Sequence, residues 1–163
     1  MEEPKKKTVI VVGVPGVGKS TIINNGTETL QKKGTSVKTV VFGSVMFEEA
    51  KKLGIHDRDE LRKQTISVQQ KLQNMAAEHI SNLNDSIVFV DTHLFIKTQS
   101  GYYPGLPMNL ILKMDPQRLI LVTADSDEIL NRRKKDTTRT RDLISDDEIK
   151  RDIEVSLSMI SSL

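Results

Sequence analysis

The 163-residue chain has no cysteine and no tryptophan. Without thiols there are no disulfides and no cysteine-based zinc sites, and His56, His79 and His93 stand at spacings that suggest no metal cluster. No apolar run is long enough to span a bilayer, so no membrane partner is expected. The opening stretch, Met1 to Lys7, is polar and lacks the apolar segment of a secretory signal, which makes the cytoplasm the simplest location. A charge bias is missing too: 24 lysines and arginines against 22 acids leave a net +2, which argues against a dedicated nucleic-acid-binding face. Any anion site must therefore be local. The length suits one domain with a proper core, and a hydrophobic content of 37% is ordinary for one.

Against that plain background stands Gly13 to Ser20, GVPGVGKS, which fits the phosphate-loop pattern G-x-x-x-x-G-K-[ST]. It follows a β-branched run, Thr8 to Val12, and leads into a helical stretch from Thr21, the strand-loop-helix setting the pattern requires. Gly13, Gly16 and Gly18 remove side chains where the backbone folds around an anion, so that successive N–H groups point at phosphate oxygens. The helix that follows adds the positive end of its dipole. Lys19 is placed to reach the β- and γ-phosphates, and the Ser20 hydroxyl to ligate the Mg²⁺ that bridges them. The plain alternative is a glycine-rich turn with a solvated lysine.

The rest alternates strand-like and helix-like segments without repeats, the pattern of an α/β protein with a parallel sheet and helices on both faces. A helix is expected from Lys19 to about Lys33, with Gly26 as a point of bending, and Val37 to Phe42 reads as the second strand. Gly43-Ser44 opens a short helix over Val45 to Leu53, and Asp57 to Lys63 is a further turn. Ser67 to Gln70 matches a capping box ahead of a crossover helix, on whose apolar stripe His79 reads as a packed structural histidine. Ile87 to Val90 forms the third strand. It ends at Asp91, the first-choice acidic partner for Mg²⁺ because ligands gather at the carboxyl ends of strands. A long loop is expected from Thr92 to Pro107, a fourth strand from Leu119 to Val122, and a helix capped at Asp125 that ends in Arg132, Arg133, Lys134 and Lys135. Ser145 caps a last helix with Ile149, Ile153, Leu157 and Ile160 on one face.

The second informative stretch is Asp136 to Asp142, DTTRTRD. In an extended loop Arg139 and Arg141 project to one side, whereas on a helix they would diverge by about 200°. Two guanidiniums on one side suit a transferring phosphoryl group, and Asp136 and Asp142 would hold them when no nucleotide is bound. A GTPase should carry N-K-x-D and a glycine three residues after the strand-end aspartate, where this chain has Leu94. A hydrolytic ATPase commonly sets a glutamate beside that aspartate, where Thr92 and His93 follow. Transfer to a second substrate fits better, since Arg58, Arg62 and Lys97 add cations in or near loops at the same sheet edge. An acceptor that is itself a phosphate needs positioning and charge neutralisation, not a general base. That describes a nucleoside monophosphate kinase; a small-metabolite kinase and an inactive nucleotide-binding fragment remain the alternatives.

Along its whole length the chain resembles archaeal-type adenylate kinases, through VVGVPGVGKST, FGSVMFEEAKKLG, DRDELRK, VDTH, GYYPGLP, SDEILNRR and DTTRTRD. The resemblance implies a single P-loop kinase domain over residues 1–163, an AMP-binding region at about 43–83 and a short lid at about 136–142. It implies parallel strands ordered 2-3-1-4-5, reversible Mg²⁺-dependent transfer between ATP and AMP to give two ADP, and homotrimers. Gly13, Val14, Pro15, Gly16, Val17, Gly18, Lys19, Ser20 and Thr21 would hold ATP, with Ser20 and Asp91 at the metal. Lys19, Arg139 and Arg141 would act on the transferring group, and Arg132 would lie near the ATP base or phosphates. Lys97 occupies the family's place for a basic AMP-phosphate ligand, Arg62 is the second candidate and Arg58 the third. Bacterial and eukaryotic relatives place an arginine in the helix after strand two, where this chain has Phe47 and Glu48. The family also continues into a fifth strand and closing helix beyond Leu163, so a C-terminally truncated chain with strand order 2-3-1-4 is expected.

Overall fold

A computed structural model of the chain describes residues 6–98, 101–136 and 145–163. Its centre is strand β1 (Lys7–Val12), in which Thr8, Ile10, Val11 and Val12 are all at most 2% exposed. A strand buried on both faces belongs in the middle of a sheet, and there it lies: β3 (Ile87–Asp91) pairs with it in parallel on one side and β6 (Arg118–Leu121) on the other. Strand β2 (Val37–Val41) pairs in parallel with β3, giving the order β2-β3-β1-β6. Counting only the strands of this sheet, that is the expected 2-3-1-4.

Alternation along β1 feeds two cores. Ile10 and Val12, with Val88 and Val90 of β3, pack on Phe42 of α2 (Phe42–Lys52), Ala76, Ala77 and Ile80 of α4 (Ile66–Ser81), and Leu110 and Met114 of α5 (Met108–Met114). Val11 faces the other way, onto Ile23 of α1 (Lys19–Lys32), Ile129 of α6 (Ser126–Lys135) and Ile149 of α7 (Asp146–Ile160). A satellite cluster of Ala50, Ile55, Leu61 and Leu72 seats the short α3 (Arg58–Lys63) on α2 and α4.

Several expectations are corrected. Helix α1 runs unbroken through Gly26, where an added Cβ would meet the Phe89 ring at 3.7 Å, an ordinary contact distance. Helix α2 begins at Phe42 directly after β2, because burying Phe42 to 4% exposure draws that residue into the helix. The crossover helix is capped by Thr65, whose hydroxyl accepts from the Val68 N–H at 3.4 Å, and not by Ser67. His79 is 46% exposed and meets Glu49 at 3.1 Å across the α2–α4 contact, so it is a surface partner of a buried acid. The expected long loop holds an antiparallel hairpin, β4 (Phe95–Thr98) with β5 (Gly101–Pro104), followed by α5. Asp125 stands at the start of α6 without a side-chain cap, whereas Ser145 caps α7 by accepting from the Glu148 N–H at 3.2 Å. On α7 the buried residues are Ile149, Asp152 and Ser156, while Leu157 is 48% exposed.

Candidate functional site

Parallel strands bring their carboxyl ends to one edge, so the register that pairs Val11 with Asp91 sets the Asp91 carboxylate beside the loop leaving β1. The loop is closed by the Val17 N–H bonding to the Val14 carbonyl at 3.2 Å, and Gly18 enters α1 at φ +102°, a conformation that L side chains rarely adopt. At Gly13 the requirement is space. A Cβ there would meet the Val122 carbonyl oxygen at 2.6 Å and Val17 Cγ1 at 2.9 Å. With Gly18 as its cap residue, α1 presents its first-turn N–H groups without a side-chain oxygen over them.

Lys19 is 8% exposed; its Nζ donates to the Gly13 carbonyl at 3.1 Å and lies 3.7 Å from Asp91 Oδ1. The Gly13 carbonyl also lies 3.3 Å from His93 Nδ1, a contact that places the proton on that nitrogen. Two arginines at the end of α6 grip the loop from outside. Arg132 Nη1 donates to the Val17 carbonyl at 2.8 Å while its Nη2 pairs with Glu128 at 3.1 Å, and Arg133 Nε donates to the Pro15 carbonyl at 2.8 Å. Bonds from a charged donor are the stronger kind, each worth ~1.5–3 kcal/mol.

Cavities flank the loop on two sides. A groove of about 820 Å³ is bordered by Val17, Ile22, Val122, Ala124, Arg132 and Leu157. A smaller cavity of about 290 Å³ has Gly13, Val14 and Pro15 on one wall and His93, Lys97 and Asp152 on the other. Lys97 thus comes to the loop, its Nζ 3.5 Å from Asp152 Oδ1. Arg58 and Arg62 line neither cavity. Arg58 donates to Ser44 Oγ at 3.4 Å and stacks over the Phe47 ring at 4.9 Å, and Arg62, 76% exposed, pairs with Asp59 at 3.0 Å. Arg139 and Arg141 lie outside the described residues.

The donor set suits a hard cation. Among the described residues no group of three or more His, Asp or Glu is poised to hold a metal. Magnesium asks for less, because one or two protein oxygens suffice when nucleotide phosphates complete the shell, and the Ser20 hydroxyl and Asp91 carboxylate are oxygens of that kind. Gly13 is glycine because an added carbon would run into the Val122 carbonyl oxygen; the feature that suits an anion is the start of α1, where Gly18 leaves the first-turn N–H groups without a side-chain cap.

Sequence reasoning missed Arg133, Tyr102 and Asp152 at this site. Arg133 was legible only as a helix-end cation, since its partner Pro15 is 118 residues away. Asp152 did leave a signal, standing three residues after Ile149 and four before Ser156 and so on the buried face of α7.

A parallel sheet with a glycine-lined phosphate loop at the carboxyl end of its central strand defines a P-loop kinase fold. The AAA domain family matches residues 12–150. The adenylate kinase of Methanocaldococcus jannaschii is 46% identical over 147 residues, 89% of this chain and 77% of that protein. The adenylate kinase of Sulfurisphaera tokodaii is 43% identical over 148 residues, 88% of this chain and 76% of its own length. The chain belongs to the adenylate kinase family, with an AAA domain over residues 12–150. Membership makes it an enzyme of the kinase class. Among solved structures it is similar to a shikimate kinase from Bacteroides thetaiotaomicron, with TM-score 0.56 and 12% identity over 96% of this chain and 80% of that one. A Thermus thermophilus protein aligns with TM-score 0.51 and 16% identity, covering 96% and 83% of the two chains. At these identities the likeness concerns the fold alone. No helix among the described residues is long and apolar enough to cross a membrane.

Proposed function

We propose that the chain transfers a phosphoryl group reversibly between ATP and AMP to form two ADP. The observation that carries the reading is the pairing of two cation sets about one loop: Lys19 and Arg132, each bonded to a loop carbonyl, and Lys97 across the small cavity that shares Gly13 to Pro15 as a wall. The loop, Gly13 to Thr21, binds the donor phosphates through its backbone N–H groups, and Lys19 follows the charge that grows on the transferring group. Ser20 and Asp91 would hold the magnesium ion, which supplies charge neutralisation between the outer phosphates when bound. Lys97 orients the acceptor phosphate, with Arg62 and then Arg58 as further ligands from the region 43–83. Because that phosphate is already anionic, no side chain need remove a proton. Arg139 and Arg141, from a short lid at about 136–142, close over the transferring group and keep water out. One P-loop kinase domain over residues 1–163 and a homotrimeric assembly belong to the same proposal.

The test is ADP formation from ATP and magnesium with a panel of acceptors. AMP-dependent ADP production with AMP preferred is the expected result. Preferred turnover of another nucleoside monophosphate or of a small metabolite overturns the acceptor assignment, and ATP binding without AMP-dependent ADP overturns the activity.

A further inference from the structure

Asp152 is 5% exposed, and a buried carboxylate must be satisfied by donors. Both come from the β4–β5 hairpin and both reach one oxygen: Oδ1 accepts from the Tyr102 hydroxyl at 2.8 Å and from the Lys97 ammonium at 3.5 Å. Lys97 and Tyr102 are directly opposed in the antiparallel register and so share a face of the hairpin. The two bonds differ in kind. The Tyr102 ring is held edge-on against Phe95 at 4.8 Å, whereas the Lys97 side chain is 43% exposed on a flexible stem. Partial burial, and then the adjacent carboxylate, push the Tyr102 hydroxyl up to about 12, so it stays a proton donor at every ordinary pH.

We propose that Asp152 is a positioning residue for the acceptor: its carboxylate holds the Lys97 ammonium at the cavity beside the phosphate loop, while its bond from Tyr102 fixes the hairpin that carries Lys97. The inference rests on the reading of Lys97 as a ligand of the acceptor phosphate. An ammonium has three protons, so Lys97 keeps one on Asp152 and turns the others to the incoming phosphate. The carboxylate selects, from the many conformers of the lysine stem, those that face the wall formed by Gly13 to Pro15.

Asp152→Asn keeps an oxygen for Tyr102 and removes the charge that holds Lys97. In steady-state kinetics it should raise KM for AMP by about 5-fold and change KM for ATP and kcat by less than about 2-fold. In a Lys97→Met background the same substitution should add nothing, because the partner it acts through is gone. A second readout needs no turnover: acetic anhydride labelling followed by mass spectrometry should show Lys97 acetylated about 3-fold faster in Asp152→Asn, with the other lysines unchanged. Unchanged Lys97 labelling overturns the proposal even in an active enzyme. So does an AMP effect that persists in the Lys97→Met background, or an equal rise in both KM values, which is what a merely structural role for Asp152 gives. Failure of the underlying kinase reading looks different, since AMP-dependent ADP formation is then missing from the unmodified chain while faster labelling of Lys97 still supports the pairing.

Discussion

At the phosphate loop, Lys19, Arg132 and Arg133 are tied to main-chain carbonyls of the loop itself, those of Gly13, Val17 and Pro15. On α3, Arg58 and Arg62 are held by neighbouring side chains: Ser44 and the Phe47 ring for one, Asp59 for the other. Both regions sit beyond the carboxyl ends of parallel strands, β1 and β2, and both supply cations, yet one is built and the other is loose. Cations bonded to carbonyls fix the shape of a loop before any ligand arrives. An exposed arginine paired with an exposed aspartate contributes about 0–1 kcal/mol and exchanges partners easily. Under the function proposed above, the loop would be a donor cradle formed in advance and the α3 arginines part of an acceptor region that adjusts on binding.

The contrast can be broken from the built side first. Lys19→Ala should lower kcat by on the order of 10²–10³-fold while thermal unfolding moves by only a few degrees. A large fall in stability would make Lys19 a structural residue instead. Next in size, Gly13→Ala pushes a carbon to 2.6 Å from the Val122 carbonyl oxygen, a backbone atom that cannot swing away. It should destabilise by ~1–3 kcal/mol, and thermal unfolding should show a midpoint lower by ~2–4 °C per kcal/mol. Preserved stability would mean that the junction of β1 with the loop yields, contrary to the picture of a rigid cradle.

A paired comparison sharpens the difference between the two regions. Arg132→Ala removes the bond to the Val17 carbonyl and should raise KM for ATP by roughly 10-fold. Arg62→Ala should raise KM for AMP by about 2- to 5-fold and leave the unfolding midpoint where it was. Equal effects of both on ATP would erase the distinction.

The smallest effect is one of pH. Lys52, bonded at 2.7 Å, holds the Glu49 carboxyl below its ordinary 4.5 against the opposing effect of burial, and His79 adds to the lowering. A carboxyl depressed in the folded state contributes stability that is present above its unfolded value and lost as pH falls through its folded one. The α2–α4 contact should therefore loosen in acid, below about pH 4.5, and Glu49→Gln should flatten this part of the stability curve in acid titrations followed by circular dichroism. An unaltered acid limb would remove Glu49 from the account.

Much of this architecture is legible in the residues. The apolar runs at Ile10 to Val12 and Val88 to Val90 mark central strands, and glycine spacing with Lys19-Ser20 marks the loop. Where the reading strayed, a tertiary contact outweighed a local signal. Thr92 to Pro107 reads as one long loop, but cross-strand pairing of Phe95 to Thr98 with Gly101 to Pro104 makes a hairpin of its middle. His79 keeps helical spacing with the apolar stripe, yet it reaches out to the buried Glu49. The predicted apolar face of α7 is rotated, because Asp152 is drawn inward by Tyr102 and Lys97 while Leu157 is left half exposed.

The sequence by itself determined the sheet's central strands, the glycine loop and the place of Lys19, Ser20 and Asp91 at one edge. Each of these is written in short-range periodicity or in a pattern only a few residues long. Tertiary structure alone decided which distant side chains close on that loop. Val17 and Arg132 are 115 residues apart and Pro15 and Arg133 are 118 apart, and bonds across such separations leave no periodic trace in the chain. They exist because α6 packs Ile129 into the core shared with Val17, which sets the arginines that follow within reach of the loop carbonyls.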